Sequence, residues 1–329
     1  MSKNALDAGL GSIMGALVGD AAGGVLEFMH GLPKPADIEH ALNMPGGGVL
    51  QLAPGQITDD GELTLCLAQA LLESRSPEVE NHARWYAKWI ESRPFDIGNT
   101  TRSSLGCIYT HEGKEAARKE GFAAAMTKAA KRHCMDSKAN GSLMRATPIG
   151  VWGHSADDGQ LAETARQDSC LSHPNESCWQ AVAAYSIAIA ELVTSRDRSK
   201  AWERARNWMR TSACVEVKSW LDLIENDEPI PGHPQAGFIK IAFVHAFRCL
   251  NQGRDYPDTL KTVLAVGGDT DTNACIAGGL VGAAVGLEGI PVEMRNAVLA
   301  CDTHGARHPR PDFLTPGKVF PALSRLVEP

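Results

Sequence analysis

The sequence predicts an all-α protein, folded as one compact multi-helix domain that spans residues 1–329. Apolar residues recur at the three- and four-residue spacing of amphipathic helices in many segments. Runs that alternate apolar and polar residues between turns are nearly absent, and β-branched residues are sparse. The sequence contains no low-complexity tract and no repeat of fixed period. At 329 residues and 35.2 kDa, the chain is long enough to bury an ample core.

The clearest helical periodicity falls in six segments, at residues 63–74, 77–91, 115–132, 178–194, 236–250 and 273–287. The connections between helical segments are polar, rich in proline and glycine, and short to moderate in length. The longest connection covers residues 29–57 and contains Pro33, Pro45 and Pro54. We expect this loop to be functional or mobile, because structureless loops of that length are uncommon in compact domains.

Glycine recurs at every fourth residue in two helical segments, at Gly11, Gly15, Gly19 and Gly23 and again at Gly278, Gly282 and Gly286. On a helix this spacing makes a stripe without side chains, along which another backbone can approach closely. Each glycine costs about 1 kcal/mol relative to alanine inside a helix, so the stripes should serve a purpose. Tight core packing alone is one explanation. The other is that the stripes bring functional segments flanking these helices to one site.

Charge and cysteine content exclude several classes of protein. The formal net charge of -7 disfavours a protein that tracks nucleic-acid backbone. We count no apolar run of the roughly 18 residues that a membrane span needs, and the N-terminus lacks a signal-peptide layout. The nine cysteines are scattered without a CxxC motif, which indicates buried free thiols rather than disulfides or zinc. We therefore expect a soluble, cytoplasmic monomer with neither nucleic-acid nor membrane partners.

Two short acidic motifs are the sharpest candidates for chemistry, and each directly precedes an apolar helix. The first is Thr58-Asp59-Asp60-Gly61-Glu62, and the second is Asp269-Thr270-Asp271-Thr272 after two glycines. Helix capping is the ordinary explanation, and Asp59 with Glu62 has the spacing of a capping box. Capping requires one such residue per helix, however, whereas each motif has two carboxylates and hydroxyls as well. A bound cation would relieve the repulsion between these like charges.

The type of ligand atom indicates which cation would bind. Carboxylate and hydroxyl oxygens without neighbouring Cys or His suit Mg²⁺, Mn²⁺ or Ca²⁺ rather than zinc. An EF-hand beginning at Asp269 is excluded, because Ala274 and Leu280 stand where that motif needs glycine and glutamate.

Further candidates are weaker, and each has a plain structural alternative. The loops at residues 98–102 and 140–145 combine backbone N–H groups with an arginine and would suit a phosphate, or they are simply turns at helix starts. Neither loop matches a P-loop or a Rossmann fingerprint. His173 lies at a turn, where a structural hydrogen bond is the alternative role. Glu27 follows the first glycine stripe, where an exposed helix end is the alternative.

Taken together, these residues resemble the ADP-ribosylglycohydrolase family, of the dinitrogenase-reductase-activating glycohydrolase and ADP-ribosylarginine hydrolase type. The matching motifs occur in family order over most of the chain: GALVGDAAGGVLEF, ITDDGELTLCLAQAL, PFDIGNTTRSSL, ANGSLMRATPIG, LSHPNE and VGGDTDTNACIAGGLVGA. The two acidic motifs in that order are specific, whereas the glycine-rich helices alone are not. One departure is Gly61, where relatives more often have Thr or Ser.

The resemblance implies an all-α fold with a two-metal cleft. It implies that two Mg²⁺ or Mn²⁺ ions are held by six ligands: Thr58, Asp59, Asp60, Asp269, Asp271 and Thr272. It places the catalytic roles on Glu27, Asp60 and Asp271, with Glu27 near the ribose and its attacking water. Substrate would contact Asn99, Thr100, Asn140, Gly141, Ser142 and Met144, with His173 and Phe238 facing the adenosine half.

The activity that the resemblance implies is metal-dependent hydrolysis that removes ADP-ribose from a modified protein, at the N-glycosidic bond to arginine. Hydrolysis of O-linked ADP-ribose, on serine or as an acetyl ester, is the nearest alternative. A non-catalytic ADP-ribose-binding relative is the alternative from another class, since this fold has been reused as a lens crystallin. The intact set of six ligand positions favours an enzyme.

Overall fold

The computed structural model describes residues 3–74 and 77–328. Over these residues the regular secondary structure is helical, and the β-type pairing consists of two isolated bridges, Gly47 with Leu52 and Ala139 with Phe238. The prediction of an all-α fold is confirmed. The buried apolar side chains of the described helices form one continuous hydrophobic core.

The α-helices of the described residues are numbered in chain order: α1 Lys3–Gly23, α2 Pro35–Ala41, α3 Asp59–Glu73, α4 Val79–Glu91, α5 Asn99–Ser104, α6 His111–Glu120, α7 Phe122–His133, α8 Thr147–Trp152, α9 Asp158–Ser169, α10 Glu176–Ser195, α11 Arg198–Ser212, α12 Val215–Glu225, α13 Ile239–Asn251, α14 Tyr256–Leu264, α15 Thr270–Val285, α16 Val292–Leu299 and α17 Pro316–Val319. Short 3₁₀ helices occupy Leu105–Tyr109, Leu287–Gly289, Asp312–Leu314 and Phe320–Leu326.

Two of the segments described from the sequence differ in kind from the structure, whereas the other helices differ by a few residues at their ends. The segment at residues 115–132 is not one helix, because Gly121 adopts φ +94° and separates α6 from α7. The carboxylate of Glu80 then accepts from the N–H groups of Phe122 and Ala123, both at 2.9 Å, which starts α7 in a new direction. The connection at residues 29–57 is not structureless either, since it contains the short helix α2.

Helices α1 and α15 form the centre of the molecule, and their glycine stripes face each other. A β-carbon added at Gly15 would lie 2.2 Å from the carbonyl oxygen of Gly278, and one at Gly282 would lie 2.3 Å from that of Gly11. Because residues late in α1 meet residues early in α15, the two helices are antiparallel. Ser12 donates a 2.9 Å hydrogen bond across this contact to the carbonyl of Gly279. The backbones are therefore closer than any side chain would allow.

The remaining helices surround this pair. Helices α13 and α14 pack against α15, and α3, α8 and α10 pack against α1. Helices α9 and α11 lie on the outer side of α10. This arrangement leaves the C-terminal end of α1 next to the N-terminal ends of α3 and α15, which carry the two acidic motifs.

Helix α1 is long and largely apolar, although Lys3, Asp7 and Asp20 interrupt its apolar run. By length and composition alone this helix would be able to cross a membrane. In the fold, 83% of its apolar window is buried, which is the situation of a central core helix.

We predict that Gly15→Ala destabilises the protein by about 1–3 kcal/mol, the usual cost of overpacking, because its new methyl group would overlap the backbone of α15. Chemical denaturation would measure the loss. Since the α1–α15 contact also aligns the acidic motifs, the folded variant should bind Mn²⁺ more weakly in titration calorimetry. Gly305→Ala is the control, because a β-carbon at Gly305 meets no atom within 4 Å. A variant that lost stability but kept its Mn²⁺ affinity would limit the stripes to a packing role.

Candidate active site

The N-terminus of α3 is capped by a residue from another helix. The carboxylate of Asp20, on α1, accepts from the backbone N–H of Thr58 at 2.9 Å, from its hydroxyl at 2.6 Å and from the N–H of Gly61 at 2.8 Å. The side chain of Thr58 makes no capping bond of its own. The capping explanation based on Asp59 and Glu62 therefore does not hold, and the carboxylates of Asp59 and Asp60 are not used to cap α3.

Gly61, the one departure from the family pattern in this motif, is explained by the same contact. A β-carbon at Gly61 would lie 2.5 Å from Oδ2 of Asp20 and 2.9 Å from Cβ of Ile57. Glycine thus gives the Asp20 carboxylate room to reach the backbone N–H of residue 61. The departure lies on the side of α3 that faces α1.

Glu62 has a separate, structural role. Its carboxylate forms a buried ion pair with Arg310, with nitrogen-to-oxygen distances of 2.6 and 2.9 Å, and accepts from the indole N–H of Trp89 at 2.7 Å. Arg310 also donates to the carbonyl of Ser92 at 3.1 Å. This ion pair joins the C-terminal segment to the first turn of α3 and to the residue after α4. The charge of Glu62 is therefore neutralised by an arginine of the same chain.

At the start of α15, Glu27 comes from the turn after α1. Its carboxylate accepts from the backbone N–H of Thr270 at 2.8 Å and from the hydroxyl of Thr270 at 2.9 Å. Asp271 accepts from the N–H of Thr272 at 2.8 Å, so that it partly caps its own helix. Asp269 makes no capping bond. Glu27 is 7% exposed and thus nearly enclosed.

The two acidic motifs meet in space. The hydroxyl of Thr58 lies 3.4 Å from a carboxylate oxygen of Asp271, which joins the start of α3 to the start of α15. One carboxylate oxygen from each of Glu27, Asp269 and Asp271 lies within 4.8 Å of the others. The carboxylate of Asp269 also accepts from the side-chain amide of Asn140 at 2.9 Å.

Burial and mutual repulsion shift the acidity of these groups. Burial, with the neighbouring carboxylates adding to it, raises the pKa of Asp59, Asp60 and Asp271 well above the ordinary aspartate value. Burial, and then the charge of Asp269, raises the pKa of Glu27 to about 7. This protein therefore concentrates acids in a region that disfavours their charged forms.

The residues of the two motifs fit a hard divalent cation. Their donor atoms are carboxylate and hydroxyl oxygens, which Mg²⁺ and Mn²⁺ prefer. Oδ1 of Asp60 is buried and has no hydrogen-bond partner among the described residues, which is the condition of a ligand atom rather than of a structural one. A cation would also offset the repulsion that raises the carboxylate pKa values.

A cavity of about 220 Å³ opens beside the acidic motifs. The lining of this cavity includes eleven of the site residues predicted from the sequence: Glu27, Asp59, Asn99, Thr100, Asn140, Gly141, Met144, His173, Asp269, Asp271 and Thr272. Thr58 and Asp60 lie just behind this wall, 0% and 1% exposed. Ser142 and Phe238 do not line it. The Ser142 side chain is fully buried, and Phe238 packs edge-on against Trp220 with ring centroids 6.3 Å apart.

A buried charge network holds the loop at residues 140–145. The guanidinium of Arg145 is fully buried and donates to the carboxylate of Asp168 at 3.0 Å, to the hydroxyl of Ser172 at 2.9 Å and to the carbonyl of Gly141 at 3.3 Å. Although burial opposes it, the charge of Arg145 holds the pKa of Asp168 well below its usual range. The arginine of this loop thus has a structural role and does not reach the cavity.

The same network positions His173. Nδ1 of His173 lies 2.8 Å from the hydroxyl of Ser172, which Arg145 also contacts. Burial lowers the pKa of His173 to about 3, so its imidazole is neutral at physiological pH. A β-carbon at Gly141 would lie 2.8 Å from the histidine ring, so glycine is needed for the loop to pass beside it.

The sequence reasoning missed several residues of this region. Asp20 carried a readable signal, because it is an acid inside an otherwise apolar helical segment. Asp96 and Phe28 line the cavity, and although both fall within motifs quoted for the resemblance, neither was assigned a role. Arg310 lies 248 positions from its partner Glu62, and pattern reasoning cannot detect a contact over that separation.

These features define an all-α protein with buried carboxylates beside a polar cleft, the arrangement on which metal-assisted hydrolases rely. The sequence profile of the ADP-ribosylglycohydrolase family matches residues 1–311, and the chain belongs to this family.

Similarity to individual relatives supports this family assignment. The chain is 29% identical over 291 residues to ADP-ribosyl-[dinitrogen reductase] glycohydrolase of Rhodospirillum rubrum, covering 87% of this chain and 88% of that protein. It is 25% identical over 301 residues to ADP-ribosylarginine hydrolase Tri1 of Pseudomonas putida (strain GB-1), covering 88% and 74%. A solved structure described as an ADP-ribosylglycohydrolase-related protein complex superposes with a TM-score of 0.73 at 23% identity, covering 99% and 98%. That likeness shows a shared fold.

We predict opposite effects of Asp60→Asn in the absence and presence of metal. With EDTA the variant should melt at a higher temperature than the parent protein, because one of several mutually repelling buried carboxylates is gone. With saturating Mg²⁺ or Mn²⁺ the order should reverse, because the parent protein alone gains the full stabilisation by the ion. Differential scanning calorimetry measures both. Asp136→Asn, at an exposed aspartate, is the control. An unchanged order of melting temperatures would argue against Asp60 as a ligand.

Proposed function

We propose that this protein is a divalent-metal-dependent hydrolase that removes ADP-ribose from modified proteins by cleaving the N-glycosidic bond to arginine. The observation that supports this most is the meeting of the two acidic motifs beside Glu27 at one end of a polar cavity. The relative named ADP-ribosylarginine hydrolase adds support for the arginine linkage.

The six residues proposed as ligands for two Mg²⁺ or Mn²⁺ ions are Thr58, Asp59, Asp60, Asp269, Asp271 and Thr272. When bound, such ions supply Lewis acidity that orients and acidifies water and holds the ribose hydroxyls. Asp60 and Asp271 are the central members of this set, because each is almost fully enclosed and comes from a different motif.

Glu27 is proposed to act as the general base. Its pKa of about 7 is matched to accepting a proton near neutral pH, and the two bonds from Thr270 fix its orientation. In the reaction the oxygen of a water molecule bonds to ribose C1″ while the bond from C1″ to the arginine nitrogen breaks. Glu27 takes one proton from the water. The leaving guanidine keeps the bonding electron pair and takes up the proton that Glu27 removed from the water, which returns Glu27 to its ionised form.

The other end of the cavity is proposed to hold the rest of ADP-ribose. Asn99 and Thr100 begin helix α5, and Gly141 lies on the loop that Arg145 holds in place. These groups offer backbone and side-chain donors to a diphosphate. His173 stays neutral there, so it can accept or donate a hydrogen bond to the adenosine half without adding charge.

The acceptor side of the cavity favours a cation. Phe28 follows Glu27, lines the cavity and leaves 57% of its surface exposed. Its backbone adopts φ +59°, an unusual conformation for a bulky residue that recurs at functional sites. Asp96 lies in the same wall. An exposed aromatic ring beside carboxylates suits the guanidinium of arginine better than the hydroxyl of serine.

We predict that the protein with Mn²⁺ or Mg²⁺ releases ADP-ribose from an arginine-modified protein, that EDTA abolishes release and that added metal restores it. Glu27→Gln should lower kcat by about 10²–10⁴-fold, because the base is lost. Chromatography of released ADP-ribose measures both effects. Glu73→Gln, at an exposed glutamate, is the control.

Three outcomes of this assay would contradict the proposal. Faster release from serine-modified protein or from O-acetyl-ADP-ribose would favour an O-linked substrate. Binding of ADP-ribose without release of product from any linkage would indicate a non-catalytic relative. Full turnover after thorough chelation would remove the metal from the mechanism.

We predict that Phe28→Ala lowers kcat/KM for the arginine-linked substrate by about 2- to 30-fold, the range expected for loss of a cation–π contact. Any serine-linked turnover should change less than that, and Phe28→Tyr should restore the arginine-linked rate. Alanine also has a β-carbon, so the backbone strain at position 28 is kept in the variant. Equal losses on both linkages would show that Phe28 shapes the cavity without recognising the guanidinium.

A further inference from the structure

Positive charge in this acidic chain is concentrated in one segment. Residues 102–138 contain eight Lys and Arg but only four Asp and Glu, a formal net charge of +4. Because the whole chain has a formal net charge of -7, the residues outside this segment have a net charge of -11. This segment runs from within α5, through the 3₁₀ helix Leu105–Tyr109, to α6, α7 and the residues just after them.

The segment encloses a cleft of about 420 Å³ outside the candidate active site. Small residues leave room along it, at Gly106, Gly113, Ala116, Ala125 and Ala129. Three cationic side chains and one histidine line the same cleft, namely Arg102, Lys128, Arg132 and His133, together with a single carboxylate, that of Glu112. We call this cleft the basic groove.

The cations of the basic groove are largely free to meet a ligand. Among the described residues only Arg132 has an ion-pair partner, Glu112, at 3.5 Å. Both side chains of that pair are about two-thirds exposed, so the pair is weak and easily exchanged. Arg102 and Lys128 have no carboxylate within 4.0 Å over residues 3–74 and 77–328. Structural ion pairing therefore does not explain the cluster.

The basic groove is adjacent to the catalytic cavity. Helix α5 belongs to both, since Asn99 and Thr100 line the cavity and Arg102 lines the groove. These residues lie within one helical turn, about 5 Å along the helix. The hydroxyl of Thr100 also bonds that of Ser137 at 2.7 Å, which fixes α5 to the end of the basic segment.

We propose that the basic groove binds an acidic segment of the ADP-ribosylated protein and so docks the substrate beside the catalytic cavity. This inference rests on the proposed function. The volume suits a few acidic side chains, and the charge is complementary to them. A nucleic acid is a poorer partner, because its backbone would extend beyond the groove over a surface of the opposite charge balance.

The test uses two double variants that change the net charge equally. Lys128→Glu with Arg132→Glu reverses the groove, whereas Lys114→Glu with Arg118→Glu reverses two exposed residues of α6 that do not line it. Fluorescence anisotropy would follow binding of a labelled hexaglutamate peptide. Steady-state assays would follow an arginine-modified protein with an acidic surface and free ADP-ribosyl-arginine.

We expect the groove variant to bind the hexaglutamate peptide at least tenfold more weakly and the α6 variant to stay within twofold. For the modified protein, kcat/KM should fall about 5- to 20-fold in the groove variant at low salt, and less in 0.5 M NaCl. Turnover of ADP-ribosyl-arginine should stay within twofold. Circular dichroism melting would verify that both variants fold.

Four results would overturn the inference: equal losses in both variants, an equal loss with ADP-ribosyl-arginine, no peptide binding by the parent protein, or tighter binding of an oligothymidylate than of the peptide. The second of these would mean that the groove attracts the substrate's own diphosphate. A parent protein that bound the peptide but hydrolysed no substrate would refute the proposed function instead, because peptide binding does not require turnover.

Discussion

The acidic part of the site depends on the close approach of α1 and α15, because α1 contacts the first residues of α3 and α15, the two helices that begin with the acidic motifs. Where α1 ends, Glu27 follows and bonds Thr270 at the start of α15. One turn earlier, Asp20 caps α3 and fixes the start of the first motif. A side chain in the glycine stripe would separate the backbones and move Glu27 away from the carboxylates of α15. The helix propensity lost at each glycine is thus offset by placing a carboxylate oxygen of Glu27, which follows α1, within 4.8 Å of those of Asp269 and Asp271 at the start of α15.

The site also separates two kinds of buried acid. Glu62 and Asp168 each have a buried arginine partner, Arg310 and Arg145, and they hold distant segments together. Asp59, Asp60 and Asp271 have no cationic side-chain partner of this kind among the described residues, and their pKa values are raised by burial and by neighbouring carboxylates. Removing one partner of a buried ion pair strongly destabilises a fold. Removing one of several carboxylates that repel each other instead lowers the repulsion and stabilises the fold. The unpaired acids are therefore the ones that an incoming cation would stabilise.

Much of this arrangement could be read from the sequence, and the remainder depends on contacts between distant residues. Local periodicity predicted the helices, and two carboxylates per helix start indicated more than capping. The division of residues 115–132 depended on Gly121 and on Glu80, a residue of another helix. The cap supplied by Asp20 likewise comes from outside its helix. Ser142 was expected to contact substrate because of its loop, but the turn that Arg145 holds directs its side chain into the core.

Charge then places a constraint on how the proposed substrate would enter. ADP-ribose carries a diphosphate, and the carboxylates at one end of the cavity would repel it in their ionised forms. Two divalent ions would add four positive charges and change the formal charge from -7 to -3, with the whole change confined to the cleft. On the proposed function, productive binding of the diphosphate would depend on prior occupation of the acidic motifs by metal. The basic groove would act on the other partner, because its lysine and arginine side chains are cationic with or without metal. The two elements together would make recognition of ADP-ribose metal-dependent while leaving recognition of the protein carrier independent of metal.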